Sequence, residues 1–572
     1  MINAEAILQE VYPELSSAKT GKFVIKLLKN LLHEADFNDF ISTHQHLRGF
    51  AFLEKLLQHF EFDYEVSSDS YQNIPAVGRL LIVANHPIGT LDGLALVKLI
   101  KAVRPDVRII ANQVLQHMTP LQSIFLPVDI LSGKKAQKQS YQAMLEALEN
   151  EEAVIIFPAG EVSRISPKGV RDGEWQTGFI KLAKKAHCPI LPIHIEAYNS
   201  MWFYGASMLY KPLGTMLLVN EMFNKHKQSA KFRVGAPIAF QSLEKCDETK
   251  QQLAKRMRKH VINLGKHKKS LFKTYATVAH PVDTKALKKA LYQSQVLGET
   301  RDGKKIFLYH YRDDCPVMQE IGRLRELTFR TVEEGTGLAQ DIDKYDVYYE
   351  HLILWDEYDL EIVGAYRIGA GNQIMASHGS QGFYSQSLFE FTPAFEALLP
   401  NSIELGRSFV QPRYWGQRSL DYLWYGIGAY IRLQPQVKYL FGPLSLSNAY
   451  PQLAKETIVG FYAKQFGSSE QFVHAKQPFE LSEATRTMVD TTFNSDYKSS
   501  FKLLTTELQK LGVKVPTLYK QYVDLCVEEG CHFMGFNVDP DFNDCIDSLV
   551  MIELDKITPK KRQRYIENIE DN

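Results

Sequence analysis

A histidine and an aspartate lie close together in the first half of the chain, just after an apolar run. His86 follows the run Leu80–Ala84, and Asp92 lies six positions further on. A neutral imidazole titrates close to neutral pH and can take a proton from a hydroxyl or an amine. A carboxylate behind the ring fixes its tautomer and stabilises the imidazolium that forms. The pair predicts a general base oriented by a carboxylate. The alternative is a turn histidine satisfied by the backbone.

Charges of opposite sign recur in the second half. Glu404 and Arg407 lie at the end of a hydrophobic segment, and Arg367 ends another at 361–367. Neighbouring strands would bring these side chains to one end of a sheet. Exposed ion pairs are common and contribute little to stability, so each residue alone is equally well explained as part of a surface pair.

The segments around His86 alternate between two patterns. Strand patterns lie at 79–84, 107–110, 153–157 and 189–195, and helix patterns lie at 133–150 and 176–187. This alternation predicts an α/β layer fold, with His86 at a strand-to-helix turn where a side chain can meet a substrate.

The second half has a different order of elements. Strand patterns lie at 305–309, 351–355, 361–367, 402–405, 439–442, 532–537 and 548–554, and helix patterns at 316–331, 419–433 and 516–529. This change of pattern after the basic region indicates a domain boundary between 265 and 300.

Length and composition indicate two globular domains. The chain has 572 residues, 45% of them hydrophobic, with 66 Lys and Arg against 66 Asp and Glu. Single cores stop growing near ~250–300 residues, so we expect one domain over 1–285 and another over 286–572. The balanced charge argues against a nucleic-acid partner, because such proteins concentrate excess positive charge.

Cysteine spacing and hydropathy restrict the setting. The six cysteines show no CxxC pattern and no histidine partners, which argues against a disulfide framework and a metal site. No signal peptide is evident at the start, and no apolar run approaches the ~20 residues that span a bilayer. We therefore expect a protein of the reducing cytoplasm.

Two basic segments are candidates for a membrane surface. The stretch 251–290 holds eleven Lys and Arg and a single acid, Asp283. An amphipathic helix is predicted at 22–33, with Lys22, Lys26 and Lys29 opposite its apolar side. Either segment fits an anionic lipid interface. A solvated helix, or an apolar stripe packed on its own domain, explains them equally well.

Three ordered motifs give the first half a family resemblance. Asn85-His86-Pro87 with Asp92, then Phe157-Pro158-Ala159-Gly160-Glu161-Val162-Ser163-Arg164, then Pro189-Ile190-Leu191-Pro192, resemble the glycerolipid acyltransferase family. The resemblance implies a lysophospholipid-acyltransferase-like α/β fold with a thioester donor. It implies His86 as catalytic base and Asp92 as its orienting carboxylate. The acceptor site would be shaped by Gly160, Glu161, Ser163 and Arg164.

The motifs depart from that family at two points. Five residues instead of four separate His86 from Asp92, and the acid of the second motif, Glu161, lies beyond the glycine. These departures argue against a glycerol-phosphate acceptor and leave room for an aminolipid. Asp172 and Trp175 are predicted to border the site, with core packing the main role of the tryptophan.

Charged and aromatic residues of the second half follow the order Arg-x3-Phe, Asp-x2-Asp, Arg and Glu-x2-Arg. This order resembles that of acyl-homoserine-lactone synthases and ornithine-lipid N-acyltransferases, often labelled hemolysin-like, and implies their GNAT-like α+β fold. It implies that a thioester meets an amine at a site lined by Arg325, Phe329, Asp343, Asp346, Arg367, Glu404 and Arg407. Glu404 is the candidate base, acting through water. The GNAT pyrophosphate loop is not clearly present, and the segment 411–418 is the nearest match to it. This weakens the case for a CoA donor and favours a carrier-protein donor, whose phosphopantetheine has no nucleotide.

The two halves together resemble the bifunctional ornithine-lipid synthases. The resemblance implies N-acylation of ornithine by 3-hydroxyacyl-ACP in the second half, then O-acylation of the lyso-lipid in the first. The expected partners are acyl carrier protein, ornithine, the lyso-aminolipid and the inner face of the cytoplasmic membrane, with no bound cofactor or metal. Glycine or another amino acid as head group, and a non-enzymatic membrane-active protein, are the alternatives.

Overall fold

The computed structural model describes residues 34–111, 118–127, 134–167, 169–209, 217–218, 220–225, 227–244, 248–494, 496–527 and 529–567. The amphipathic helix predicted at 22–33 lies outside them. Contacts divide the chain into two compact units, Met1–His280 and Pro281–Asn572. The boundary predicted after residue 285 falls within the helix Thr284–Leu291. No helix of the described ranges is long and apolar enough to cross a bilayer.

The first unit is built on a seven-stranded sheet of order β1-β9-β8-β2-β5-β3-β4. All neighbouring strands are parallel except β8 and β9. Its strands are β1 Asp63–Val66, β2 Leu80–Ala84, β3 Val107–Ala111, β4 Phe125–Pro127, β5 Ala153–Ile156, β8 Ile190–Glu196 and β9 Ser229–Val234, and a separate hairpin joins β6 Arg164–Ser166 to β7 Gly169–Arg171.

Helices cover both faces of this sheet. They are α1 Glu34–Thr43, α2 Gly49–His59, α3 Ser68–Gln72, α4 Thr90–Lys101, α5 Lys134–Glu149, α6 Gly178–Ala186, α7 Met201–Leu209, α8 Gln241–Glu244 and α9 Lys250–Leu264. Side chains alternate across β2, so Ile82 packs with α2 and α4, whereas Val83 packs with α6 and α9. The α/β prediction for this half is confirmed.

The second unit contains an eight-stranded sheet of order β10-β11-β12-β13-β15-β16-β19-β18. Its strands are β10 Gln295–Glu299, β11 Lys305–His310, β12 Glu350–Asp356, β13 Glu361–Ala370, β15 Ser402–Val410, β16 Tyr439–Leu446, β18 Cys531–Asp539 and β19 Cys545–Glu553; β14 Phe389–Phe391 and β17 Val473–Ala475 form a separate pair. Every neighbouring pair in the large sheet is antiparallel except β15 and β16.

The helices of the second unit are α10 Thr284–Leu291, α11 Pro316–Thr331, α12 Gly371–His378, α13 Pro393–Glu396, α14 Ser419–Leu433, α15 Gln452–Phe466, α16 Glu483–Thr492, α17 Tyr497–Lys510, α18 Thr517–Val523 and α19 Pro559–Arg562. Alternate residues of β12 are buried on opposite faces of the sheet. Leu352 packs with α14, and Ile353 packs with α11. The α+β prediction is confirmed.

The two parallel strands at the centre of this sheet separate soon after they meet. Residues 402–404 of β15 pair with 439–441 of β16. Gly442 still touches the chain of β15, since a Cβ placed there would lie 1.9 Å from the Leu405 carbonyl oxygen. Further along, residues of both strands line a cavity of about 240 Å³. The divergence therefore opens a site in the middle of an otherwise continuous sheet.

Candidate active sites

Parallel pairing brings His86 and Phe157 together. Val83 of β2 lies opposite Ile156 of β5, so the residues that follow the two strands emerge at the same edge of the sheet. The rings of His86 and Phe157 stack there with centroids 4.0 Å apart. The side chain of Asn85 exchanges two hydrogen bonds with the Ile195 backbone, at 2.9 and 2.8 Å, which fixes the end of β2 against β8.

Asp92 holds the imidazole of His86 from the first turn of α4. Its Oδ1 lies 2.9 Å from Nδ1 of His86. Its Oδ2 accepts the backbone N–H groups of Ile88 at 2.9 Å and Gly89 at 3.3 Å. The carboxylate is fully buried, whereas the His86 side chain is 19% exposed. Nδ1 is thus engaged, and Nε2 is the ring nitrogen left for a substrate proton.

The same contact sets the titration of His86. Burial disfavours the imidazolium, but the charge and hydrogen bond of Asp92 outweigh it, so the pKa of His86 is raised from its ordinary 6.5. A raised pKa makes the imidazole a stronger base, provided that the pH leaves it unprotonated.

Asp172 ties three segments of this site together. It accepts hydrogen bonds from the His86 backbone N–H at 3.2 Å, the Ser163 hydroxyl and Nε1 of Trp175 at 3.0 Å. Burial raises its pKa, although these hydrogen bonds oppose the effect. The Ser163 N–H also donates to the His86 carbonyl at 2.7 Å. The structure therefore uses Ser163, a predicted acceptor residue, to hold the turn that carries His86.

The other predicted acceptor residues lie along the same turn and hairpin. Gly160 has φ +68°, and its N–H donates to the Phe157 carbonyl at 3.0 Å. Arg164 Nε lies 3.4 Å from Glu161 Oε2, and its guanidinium lies 6.0 Å from the centre of the Phe203 ring. Their roles in binding stay predictions.

A cavity of about 530 Å³ borders the His86 turn. Its lining includes Asn85, Ser163, Asp172 and Trp175, as well as the cations Arg233 and Arg258. Arg258 donates to the Asp172 carbonyl, which joins α9 to the turn. The predictions that Asp172 and Trp175 border the site agree with this placement.

Five of the predicted residues in the second unit form one buried ion network. Arg325 Nη1 lies 2.8 Å from Asp346, and Arg367 Nη1 lies 2.6 Å from Asp343 and 3.3 Å from Asp346. Arg407 Nη2 lies 3.3 Å from Asp343, and its Nε lies 3.2 Å from Asp341. Despite burial, Arg367 lowers the pKa of Asp343. At Asp341, which sequence reasoning did not select, burial prevails and the pKa is raised.

The Asp-x2-Asp spacing has a local explanation. The Asp343 side chain accepts the Tyr345 N–H at 2.9 Å, and the Asp346 side chain accepts the Asp343 N–H at 2.8 Å. The two acids therefore cap the short helix Lys344–Val347 while facing the arginines.

Glu404 is held by hydrogen bonds on every side. Its carboxylate accepts the N–H of Tyr384 at 3.0 Å, the N–H of Ser385 at 2.7 Å, and the hydroxyls of Ser385 and Tyr349. It is 1% exposed and does not line the cavity between β15 and β16. The structure uses Glu404 to fix the 384–385 segment, and its role as base stays a prediction.

Arg407 connects the ion network to the cavity. Its φ is +47°. It lies in a β-bulge, in which two residues of β15, Arg407 and Ser408, oppose the single residue Tyr366 of β13. Such a bulge redirects side chains and is common beside functional sites. Of the predicted residues, Arg407 and Phe329 line the cavity.

Sequence reasoning missed the acids at this cavity. Glu334 and Asp547 line it, and Asp539 lies close enough to Asp547 to raise its pKa. The available signal was a charge inside an apolar strand pattern, since Asp547 lies between Ile546 and Leu549 in β19.

Family models match both units. A model described as acyltransferase matches residues 6–270, and one described as acetyltransferase (GNAT) domain matches residues 324–425. The fold and the two sites thus define an acyltransferase with an acyltransferase domain followed by a GNAT domain.

Three relatives define the family further. A glycine N(alpha)-acyltransferase of Phocaeicola vulgatus is 34% identical over 302 residues, 50% of this chain and 92% of that protein. A lyso-glycine lipid O-acyltransferase of Bacteroides thetaiotaomicron is 30% identical over 253 residues, 43% of this chain and 91% of that protein. An L-ornithine N(alpha)-acyltransferase of Brucella abortus is 32% identical over 141 residues, 23% of this chain and 46% of that protein. The chain belongs to the aminolipid acyltransferase family.

Two solved structures are also similar to parts of the chain. The 1-acyl-sn-glycerophosphate acyltransferase PlsC of Thermotoga maritima has 16% identity and a TM-score of 0.27, covering 44% of this chain and 99% of PlsC. The AHL synthase LasI has 13% identity and a TM-score of 0.22, covering 48% of this chain and 95% of LasI.

Proposed function

We propose that the chain makes a diacylated aminolipid by two acyl transfers, one in each unit. The second unit joins a 3-hydroxyacyl chain from acyl-ACP to the α-amine of ornithine. The first unit then esterifies the 3-hydroxyl of this lyso-lipid. The observation that carries the proposal is that each unit has its own site, the His86–Asp92 pair in one and the cavity beside Arg407 in the other.

In the first unit, His86 Nε2 takes the proton of the 3-hydroxyl as the oxygen attacks the thioester carbonyl. The C–O bond forms, the C–S bond breaks, and the imidazolium returns its proton to the departing thiolate. Asp92 stabilises the imidazolium through Nδ1 at 2.9 Å. Such a base contributes on the order of 10²–10⁴-fold to the rate.

In the second unit, the gap between β15 and β16 suits the narrow arm of a phosphopantetheine thioester. The β15 residues 407–410 and the β16 residues 443–445 line it. Beyond Glu404 the edge of β15 that faces β16 is free of ladder partners among the described residues, so it can pair with the amides of the arm. Phosphopantetheine without a nucleotide, on a carrier protein, is the donor proposed.

Glycine is the second candidate head group. The glycine N(alpha)-acyltransferase of P. vulgatus is matched over 92% of its length, the ornithine enzyme of B. abortus over 46%. The acids at the cavity favour ornithine, because Glu334 and Asp547, with Asp539 beside them, offer enough negative charge for a side-chain ammonium group in addition to the α-ammonium group.

The proposal includes attachment of the protein to the surface of a membrane. On α7, Met201, Trp202 and Met208 are 76%, 77% and 73% exposed, while Phe203 and Tyr204 pack inward. The inner face of α7 contacts the hairpin that carries Arg164. An apolar outer face beside the acceptor hairpin fits a protein whose acceptor has a lipid tail.

One reaction series tests the proposal. Purified protein is incubated with 3-hydroxyacyl-ACP and a second acyl-ACP, with ornithine or glycine, and the products are identified by mass spectrometry. We expect an N-acyl amino acid first and a diacyl lipid later, with ornithine preferred. If products form with glycine but not with ornithine, the head group is glycine and not ornithine. No amide with either amino acid would refute the proposed function.

A further inference from the structure

Three acids converge beside Arg407 in the second unit. Ser445 of β16 lies opposite Asp547 of β19, and its hydroxyl donates to Glu334 Oε2 at 2.8 Å. Asp539 of β18 lies next to Asp547 on the other side. All three acids are buried, with 7%, 4% and 6% exposure for Glu334, Asp539 and Asp547.

Among the residues that the structure describes, no cation pairs with this cluster alone. Arg407, whose charge reaches Asp547, is already engaged with Asp341, Asp343 and the Tyr384 hydroxyl. Burial raises the pKa of Asp547 well above its ordinary value, and the charges of Asp539 and Glu334 raise it further. Burial likewise raises the pKa of Glu334. Buried carboxylates without a matching cation are costly, and a bound ammonium group would offset that cost.

A second polar group in the same cavity also lacks a partner. The Thr328 hydroxyl belongs to a residue that is 6% exposed and lines the cavity. Among the described residues it has no hydrogen-bond partner, although a helical threonine can usually bond back to the preceding turn. Buried hydroxyls are normally hydrogen-bonded, so this one is available to a substrate in the cavity.

We propose that Asp547 and Glu334 bind the α-ammonium group of the amino-acid substrate in this cavity, and that Asp547 takes the proton which the amine must lose. The inference rests on the proposed function of the second unit and names its amine site. It assigns Glu404 a positioning role, through the 384–385 segment.

The charge of the bound ammonium group keeps Asp547 ionised in the complex. The ammonium group then gives one proton to the Asp547 carboxylate, and its freed lone pair attacks the thioester carbonyl carbon. The C–N bond forms and the C–S bond breaks. The nitrogen loses a second proton, which goes to the departing thiolate. The products are the amide, the free thiol and a protonated Asp547, which returns its proton to solvent.

The test compares Asp547→Asn and Glu334→Gln with the matched control Glu350→Gln. Glu350 is a buried acid of the same sheet that accepts the Tyr430 hydroxyl and does not line the cavity. N-acylation is measured in the full chain at varied ornithine and varied acyl-ACP. We expect kcat/KM for ornithine to fall on the order of 100-fold in Asp547→Asn, with the KM for acyl-ACP unchanged. Glu334→Gln should raise the KM for ornithine, and Glu350→Gln should leave both constants as in the wild type.

Hydroxylamine separates a chemical role from a structural one. It is neutral at neutral pH, so its acylation needs neither a cation site nor removal of the first proton. After the enzyme-free reaction of hydroxylamine with the thioester is subtracted, we expect Asp547→Asn to acylate hydroxylamine as fast as the wild type does. Equal loss with hydroxylamine and ornithine, or no loss with ornithine, would overturn the inference. If the wild type acylates no amino acid at all, the proposed function itself fails.

Discussion

Asp92 Oδ1 lies 2.9 Å from His86 Nδ1 while Asp92 Oδ2 accepts two backbone N–H groups of the turn between the two residues. One carboxylate therefore fixes both the turn and the ring that it carries. The ring cannot rotate freely without breaking a buried charged contact. Asp92 should accordingly influence both the rate of proton transfer at His86 and the pH dependence of that rate.

Replacing Asp92 tests the rate. Asp92→Asn keeps the shape of the side chain but removes the charge that stabilises the imidazolium. We expect ester formation on purified lyso-lipid to slow on the order of 10²-fold or more. Amide formation by the second unit, measured in the same preparation, is the control and should stay at the wild-type rate. A wild-type ester rate would contradict the role of Asp92.

The pH profile gives an independent test. The base must be neutral, and Asp92 raises the pKa of His86 above 6.5 although burial opposes it. Ester formation should therefore increase as the pH rises through this raised pKa. In Asp92→Asn the proton is held less tightly, so the rising limb should move to lower pH. If the rising limb of the pH–rate profile lies at the same pH in Asp92→Asn as in the wild type, a group other than His86 titrates there.

Glu404 should matter for the stability of the second unit. Glu404→Gln replaces an acceptor of four hydrogen bonds by an amide that can accept only at one atom. We expect the free energy of unfolding to fall by about 1.5–3 kcal/mol, measured by denaturant titration. Glu404→Ala should remove both the amide intermediate and the diacyl product. Full stability together with full activity would contradict the placement of Glu404.

The exposed face of α7 should govern binding to lipid. Trp202→Glu places a charge at a 77% exposed apolar position, and we expect binding to anionic vesicles to weaken about tenfold in a sedimentation assay. Val77→Glu, at a 52% exposed position of the same unit, is the matched control. Equal binding by wild type, Trp202→Glu and Val77→Glu would exclude α7 as a contact.

The elements that carry His86 could be predicted because their signals are local. The strand, the turn and α4 follow one another within 80–101. The structure confirms the predicted strand within one residue and confirms that a helix follows the turn. The helix patterns at 316–331 and 419–433 coincide with α11 and α14. The edge strands β1 and β4 were not predicted, because their four and three residues are too few to give a clear alternation.

The acids of the second unit could not be predicted in the same way. Glu334 and Asp547 come together only because β16 pairs with β19, which places Ser445 opposite Asp547. Their sequence separation hides that contact. The ordered motifs identified Arg325, Arg367 and Arg407. Which carboxylates have an arginine partner depends on how the strands pack, and the sequence alone does not show that packing.

The lipids formed by His86→Ala test most directly whether two separate sites act in turn. The variant is incubated with ornithine and both acyl-ACPs, and its lipid products are compared with those of the wild type by mass spectrometry. We expect the monoacyl intermediate to accumulate and the diacyl lipid to be missing, because amide formation needs only the second unit. Normal diacyl lipid from His86→Ala would contradict the role of His86 and the two-site scheme.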